Sequence, residues 1–398
     1  MPWLTDLFHD PVLDQSPRGP FRDRMLSQIS LPGTHDSGCY RDQRLSNVYS
    51  ATQTQDIFQQ LAGGVRYFDL RPCKSGDEFW TYHGPLYWGG RLTGADGILQ
   101  QIRAYLDSLA PTDREIIILN VSHFSKFSDA MHDELIDAIR NTLGDYLVPY
   151  TQQDINIFSC PYWQLLCDPV ARGFPPPVAN PLAMRSRVLV LYDGALDTPP
   201  TSYLELWPAV PYQGFFLLSP KYPNVLVNQI ALFDQYSKSA MLEDGFVYSG
   251  MRANQLHKLR NRVRYRYAEQ TWRDLDDPNF DPGYWTANAV GGVPGTLHLL
   301  SWTLTPQFAA TVTGTWDPLV AARDQANPML LDVFCGPGRD WAGTCYDALH
   351  DAQINIIYVD HYASVRHQNA GSPWDGMAMP VAIAARMNVG PVGEGNTW

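Results

Sequence analysis

The sequence predicts an α/β fold built as a single (β/α)8 TIM-type barrel with long loop insertions, and three observations carry that expectation. Short apolar runs recur along the chain, several of them continuous rather than alternating, as parallel strands buried on both faces require. Segments with apolar residues at helical spacing lie between these runs. Titratable residues cluster at the carboxyl ends of the early runs, the end on which a parallel barrel opens its site.

The runs read as strands are Met25–Leu31, Val65–Leu70, Phe79–Tyr82, Ile116–Val121, Val188–Tyr192, Phe215–Leu218, Leu297–Leu304 and Ile354–Val359, and these eight give the barrel its strand count. Ser128–Leu143 sets Met131, Leu135, Ile136, Ile139 and Leu143 on one helical face behind a Ser/Asp start. Thr52–Leu61 and Gly97–Leu109 follow the same pattern. The Pro-rich segment Gly173–Pro181 and the tail Gly371–Trp398 read as surface excursions. Asp274–Gly295 reads as a turn-rich insertion able to shape a lip of the site. No internal repeat or low-complexity tract stands out, so residues 1–398 are expected to form one domain.

Composition narrows the function classes. With 45% hydrophobic and 18% charged residues, the 398-residue chain has ample material for a large core. A formal charge of −12 argues against a nucleic-acid binder, which needs a basic face. It equally argues against gripping anionic lipid by overall charge, so any membrane contact must be local. The 12 tryptophans and 21 tyrosines suit such a boundary, although packing is the ordinary use of any one of them. The basic stretch Leu259–Tyr267, with Arg260, Arg262, Arg264 and Arg266, is read as a solvated face pairing with nearby acids rather than a lipid contact. No run approaches 18 uninterrupted apolar residues, so no transmembrane helix is expected. The opening MPWLTDLFHDPVLD carries neither a basic region nor an apolar run, so no secretory signal is visible. The compartment is left open between the cytoplasm and export by a signal-less route. The six cysteines lack C-x2-C spacing. Cys160/Cys167 and Cys335/Cys345 are close enough for local disulfides in an oxidising compartment, and free thiols are otherwise the default.

Three segments carry chemistry: Leu31–Gly38 (LPGTHDSG), Gly64–Arg71 (GVRYFDLR) and Trp80–Leu86 (WTYHGPL). Each places titratable groups at the carboxyl end of a strand. Taken singly, a His-Asp pair is more often a hydrogen-bonding device, and one arginine more often half of a surface ion pair worth about 0–1 kcal/mol. Three such ends together are a different matter. Two histidines, several carboxylates and an arginine on one rim form a complete kit for phosphodiester cleavage. One imidazole takes a proton from the attacking hydroxyl, the other returns one to the leaving oxygen, and the guanidinium meets the phosphate.

LPGTHDSG, YFDLR and YHGPLYWGG resemble the X-region motifs of phosphatidylinositol-specific phospholipase C in its bacterial, metal-independent branch. The resemblance is strong over Leu31–Phe124 and returns at Leu299–Pro306 and Asn355–Tyr362. It implies a distorted barrel. It also implies that His35 is the general base deprotonating the inositol 2-hydroxyl, which attacks phosphorus to release diacylglycerol and a cyclic inositol phosphate. By the same resemblance His83 is the general acid with Asp36 as its carboxylate partner, and Asp360 orients the base. At Asp69-x-Arg71 the calcium-dependent relatives carry two acids, so Arg71 is expected to occupy the place of the metal, and no cofactor or metal is expected.

The head-group pocket of that family is less well reproduced. Where the bacterial pattern has an inositol-contacting lysine after its fourth strand, the run Ile118–His123 offers Ser122. The arginine that follows the family's fifth strand has no obvious counterpart near Leu191–Asp193, and Gln213–Phe216 lacks the family's carboxylate and phenol. A modified or glycosylated inositol lipid, or another phosphodiester with a neighbouring hydroxyl, therefore fits as well as plain phosphatidylinositol. Two other readings stand beside the first. One is a metal-dependent glycerophosphodiester-type phosphodiesterase, against which Arg71 speaks. The other is a non-catalytic lipid-binding barrel, against which the intact set of His35, Asp36, Asp69, Arg71 and His83 speaks. The expected partner is a phospholipid at a membrane surface, met peripherally by a monomer, with no nucleic acid.

Overall fold

The computed structural model describes residues 2–15, 19–40, 51–83, 88–157, 160–170, 179–193, 212–217, 231–232, 251, 255, 265–266, 271–272, 296–297, 299–303, 318–330, 354–368 and 373–389. The insertion 274–295, Cys335, Cys345 and all of the basic stretch 259–267 except 265–266 lie outside them.

The described strands, in chain order, are β1 (Leu31–Thr34), β2 (Tyr67–Leu70), β3 (Pro72–Ser75), β4 (Glu78–Tyr82), β5 (Trp88–Arg91), β6 (Ile116–Ser122), β7 (Cys167–Pro169), β8 (Ala179–Met184), β9 (Arg187–Asp193) and β10 (Phe215–Leu217). The two-residue strands β11 (Ala231–Leu232), β12 (Tyr265–Arg266), β13 (Thr271–Trp272) and β14 (Thr296–Leu297) follow, then β15 (Leu299–Trp302) and β16 (Ile356–Val359). Seven of them form one parallel sheet in the order β10-β9-β6-β2-β1-β16-β15. This is the sequential winding of a barrel, with the last strand returning beside the first. Among the described residues the outer strands β10 and β15 are not paired to each other, so closure is not seen.

Burial explains which runs join this sheet. All seven residues of β6 are buried, as are all four of β1, β2, β15 and β16, so both strand faces are covered. β4, by contrast, alternates between buried and half-buried residues and pairs antiparallel with β3 and β5 in a separate sheet. The expected barrel strand Phe79–Tyr82 is thus the middle of a three-stranded flap, the arrangement its one-sided alternation demands. The expected strand Met25–Leu31 is also corrected. Gln28 closes a tight turn on Met25, its amide donating to Met25 O (2.8 Å) and its side chain accepting from Met25 N (2.9 Å). Pairing begins only at Leu31, opposite Ile356.

The helices pack outside. They include α1 (Trp3–Phe8), α2 (Ile57–Ala62), α3 (Ile98–Ser108), α4 (Asp129–Leu143), α5 (Tyr162–Leu166), α6 (Pro318–Ala321) and α7 (Met379–Val389). The helices expected at Gly97–Leu109 and Ser128–Leu143 are α3 and α4, and Ser128 caps α4 by accepting from Met131 N. α2 starts later than its pattern suggested. Asp56 and Gln59 form a capping box, which leaves Thr52–Gln55 outside the helix. Of the tail Gly371–Trp398, residues 373–389 are described, and there the expected surface excursion is corrected: Met379–Ala385 is buried, and Asn388 bonds reciprocally to the backbone of Ser30 at 2.8 Å in both directions. A helix apolar nearly all round has to be buried.

At the amino ends of β2 and β6, Arg66 and Glu115 form a fully buried ion pair at 2.6 Å. Arg66 also donates to the carbonyls of Leu61 and Val65 and to Tyr105, while Glu115 accepts from the amide and hydroxyl of Thr5. Removing one partner strands the other charge in a dry environment. Glu115→Ala is expected to lower the unfolding free energy by about 3–5 kcal/mol in a urea titration. A loss under about 1 kcal/mol would show that the carbonyls alone satisfy the guanidinium.

Candidate active site

The carboxyl ends of β1, β2, β6 and β16 meet on one rim, and the flap closes over it. Immediately after β1, His35 continues the ladder by donating its amide to Val359 O (3.0 Å), and Asp36 then turns away with φ 41°. Asp69 lies within β2 and Arg71 just beyond it, on the same face because alternate residues of a strand share one. Asp360 follows β16 directly. His83 arrives from another direction, after β4. The flap is fastened by Gly90 N donating to Gly38 O (2.7 Å) and Tyr82 N donating to Arg71 O (3.1 Å). Gly38 is required by this approach, since a Cβ there would come within 2.8 Å of Thr81 Cβ.

All six residues singled out by sequence converge. His35 Nδ1 lies 2.7 Å from Asp360 Oδ1, which leaves its other ring nitrogen for a substrate. The His35 and His83 rings are 5.6 Å apart and nearly perpendicular. His83 Nδ1 is 3.7 Å from Asp36 Oδ2, an ion-pair distance longer than a hydrogen bond. Arg71 grips Asp69 Oδ2 through Nε (3.1 Å) and Nη2 (2.8 Å), and its Nη1 lies 3.8 Å from Asp36 Oδ2.

The electrostatics follow from burial opposed by pairing. Burial pulls the His35 imidazole down, but the Asp360 carboxylate outweighs it and holds the ring above its ordinary value. Burial pushes Asp36 up, with Arg71 and His83 only partly opposing it. Burial works against ionised Asp69 too, yet Arg71 above all holds that carboxyl well below the usual range.

Four residues that the sequence reading passed over belong to the site. Tyr358 donates its hydroxyl to Asp69 Oδ2, and its ring stands 5.3 Å from that of His35. Its signal was present: it precedes Asp360 by two and shares its strand face. Cys39 Sγ donates to Asp36 Oδ1 at 3.4 Å, a contact with no sequence signature. Gln53 reaches the backbone at the ends of β1 and β16. His123, rather than Ser122, presents the side chain after β6. It adopts φ 56°, pairs Nδ1 with Ser122 Oγ (2.9 Å), and is pushed down to about 4 by burial and then by Arg71. Asp36, His123 and His361 are three of the four positive-φ residues other than glycine among the described residues, so backbone strain concentrates at this rim.

Asp69 Oδ2 is saturated by Arg71, Tyr358 and the amide of Asp36 (3.0 Å), which leaves it poorly disposed to ligate a cation. Among the described residues no group of three or more His, Cys, Asp or Glu is arranged to hold a metal ion. Cys160 and Cys167 are free buried thiols, each pushed up to about 11, chiefly by burial.

Known proteins resemble the chain along the same lines. It is 30% identical over 132 residues to 1-phosphatidylinositol phosphodiesterase of Listeria monocytogenes, covering 32% of this chain and 38% of that protein. It is 26% identical over 215 residues to PI-PLC X domain-containing protein 1 of mouse, covering 48% and 54%. The matched region is thus about two fifths to half the length of these relatives. A variant of phosphatidylinositol-specific phospholipase C from Staphylococcus aureus superposes with a TM-score of 0.50 at 14% identity over 96% of both chains, which shows a shared fold. No protein-family model matches. The chain therefore resembles phosphatidylinositol-specific phospholipase C proteins in sequence and shares an α/β fold with one of them.

The two titrations provide a check. In an NMR titration His35 should protonate above the ordinary imidazole range, and His123 only near pH 4. The depressed His123 value makes its stability contribution complete above about pH 6.5 and progressively lost as pH falls toward 4. A His123 titration at the ordinary value would contradict both its burial and its place beside Arg71.

Proposed function

We propose that the chain cleaves a phosphatidylinositol-type lipid by intramolecular attack of the inositol 2-hydroxyl on phosphorus, giving diacylglycerol and a cyclic inositol phosphate. The observation that carries this reading is the pair of carboxylate-partnered imidazoles, His35 with Asp360 and His83 with Asp36, whose rings stand 5.6 Å apart beside Arg71. An in-line displacement needs a base and an acid on opposite sides of a phosphorus atom, and two carboxylate-partnered imidazoles on one rim can supply both groups.

His35 accepts the hydroxyl proton on Nε2, because Nδ1 is held by Asp360, and Asp360 stabilises the imidazolium that results. His83 delivers a proton to the glycerol oxygen as it leaves, with Asp36 favouring the charged ring. Arg71, fixed by Asp69, meets the charge that builds on the phosphate oxygens. The released cyclic ester balances atoms without water, so the step is a lyase reaction.

The same reading takes residues 1–398 as one catalytic unit that meets lipid peripherally as a monomer and acts without a metal. Among the described residues no helix is long and apolar enough to cross a membrane. Sequence similarity to a named phosphodiesterase favours this reaction over a binding-only barrel.

Phosphorus NMR of phosphatidylinositol vesicles tests it. A cyclic inositol phosphate signal is expected with the parent, and His35→Ala and His83→Ala should each slow its appearance by about 10²–10⁴-fold with the fold intact. Activity within a few-fold of the parent in either variant removes that histidine from the mechanism. An acyclic phosphomonoester as first product would contradict the intramolecular attack.

A further inference from the structure

The His35–Asp360 pair depends on how two strand ends are held, and there the regular ladder gives out. With Thr34 opposite Val359 and His35 N bonded to Val359 O, the next rung of a parallel ladder would join His361 N to His35 O. His361 instead turns into the left-handed region, φ 45°, and donates to Thr52 O at 2.7 Å. A side chain from the segment before α2 takes the place of that rung. Gln53 Nε2 donates to His35 O (3.2 Å) and to Val359 O (3.1 Å), and Gln53 Oε1 accepts from Tyr362 N (3.3 Å). The residue is fully buried, and its own amide is spent on Cys39 O at 3.1 Å.

We propose that Gln53 is a positioning residue for the His35–Asp360 pair, its carboxamide replacing the missing rung between β1 and β16 so that Asp360 meets His35 Nδ1. The chain needs such a substitute because an unbroken ladder would carry residue 360 onward as strand, whereas the turn at His361 redirects the backbone. A carboxamide suits the gap, having two donor hydrogens for two carbonyls and an acceptor for the amide of Tyr362. Val359 O keeps the bond from His35 N, but the His35 carbonyl and the Tyr362 amide would lose their Gln53 partners at this depth, which favours local rearrangement and loosens the imidazole–carboxylate distance. The catalytic meaning of the pair rests on the reaction proposed above; its geometry does not.

The groups facing His35 are Asp360 and Tyr358 from β16, Asp36 after β1, Asp69 and Arg71 from β2, His83 from the flap and His123 after β6. Burial and Arg71 lower the ring's proton affinity, whereas Asp360 raises it. Loosening Asp360 therefore moves the His35 titration to lower pH.

Gln53→Met keeps the side-chain length and removes both donors; Gln53→Asn is a milder second variant, one methylene too short to span both carbonyls. His35 is titrated by nitrogen-15 NMR without substrate, and rates are measured on phosphatidylinositol vesicles. We expect His35 to titrate about half a pH unit or more below its parent value. We also expect kcat to fall about 10–100-fold with KM little changed, the larger effect in Gln53→Met. A folded variant whose His35 titrates as in the parent overturns the proposal, and so does failure of both variants to fold, since Gln53 would then be a purely structural residue. Failure of the parent to cleave the lipid would retire the reaction while leaving the titration to judge Gln53.

Discussion

One carboxylate oxygen, Oδ2 of Asp69, ties together the strand ends on which the site depends. It accepts two bonds from Arg71, one from the backbone of Asp36 and one from Tyr358, and so joins β2, the turn after β1, and β16. A buried carboxylate costs several kcal/mol in lost hydration unless charge and hydrogen bonds offset it. Here they do, and the same bonds that stabilise the ion set the candidate catalytic groups. Asp36, turned by its bond to Asp69, faces His83; Arg71, anchored at Nε and Nη2, keeps Nη1 toward Asp36. A change at Asp69 is therefore felt by both histidines through three separate strands.

How far the sequence was legible follows from where burial is two-sided. The continuous run of β6 is strand in the structure because its β-branched Ile and Val residues favour the extended chain and β2 and β9 pair with its backbone on both sides. Phe79–Tyr82 is equally rich in strand-forming residues, here aromatic, but has one half-buried face, and that places it in the flap. Met25–Leu31 shows the limit of composition: a single side-chain bond from Gln28 makes a turn of an apolar run. In the tail, the absence of polar residues over Met379–Ala385 was itself the mark of burial, and the Pro- and Gly-containing flanks hid it.

The candidate catalytic residues were legible for a different reason. His35, Asp69, Arg71 and Asp360 sit at or just past strand ends, where backbone direction alone fixes which face they share. His83 was likewise read at the end of a strand, although that strand belongs to the flap and not to the barrel, and the motif resemblance supplied its role. Supporting residues from loops were not legible. Thr52–Gln55 scans as the first turn of α2, yet the Asp56 capping box releases it, and Gln53 then fills a gap between strands that no local pattern announces. Head-group recognition was equally hidden. Phe215 and Phe216, where the resemblance wanted polar contacts, are buried in the core, and the side chain after β6 is an imidazole held neutral by burial and Arg71.

We propose that at this rim a guanidinium fixed by a carboxylate does what a bound cation does in the calcium-dependent members of the family the sequence resembles. The direct measurement is turnover of phosphatidylinositol by the parent and by Arg71→Asp, each with EDTA and with added calcium. The parent should be indifferent to both additions, whereas Arg71→Asp should lose activity by several kcal/mol of barrier, about 10²-fold or more, with little rescue by calcium because six to eight oxygen ligands are not assembled there. Strong inhibition of the parent by EDTA, reversed by calcium, would contradict it.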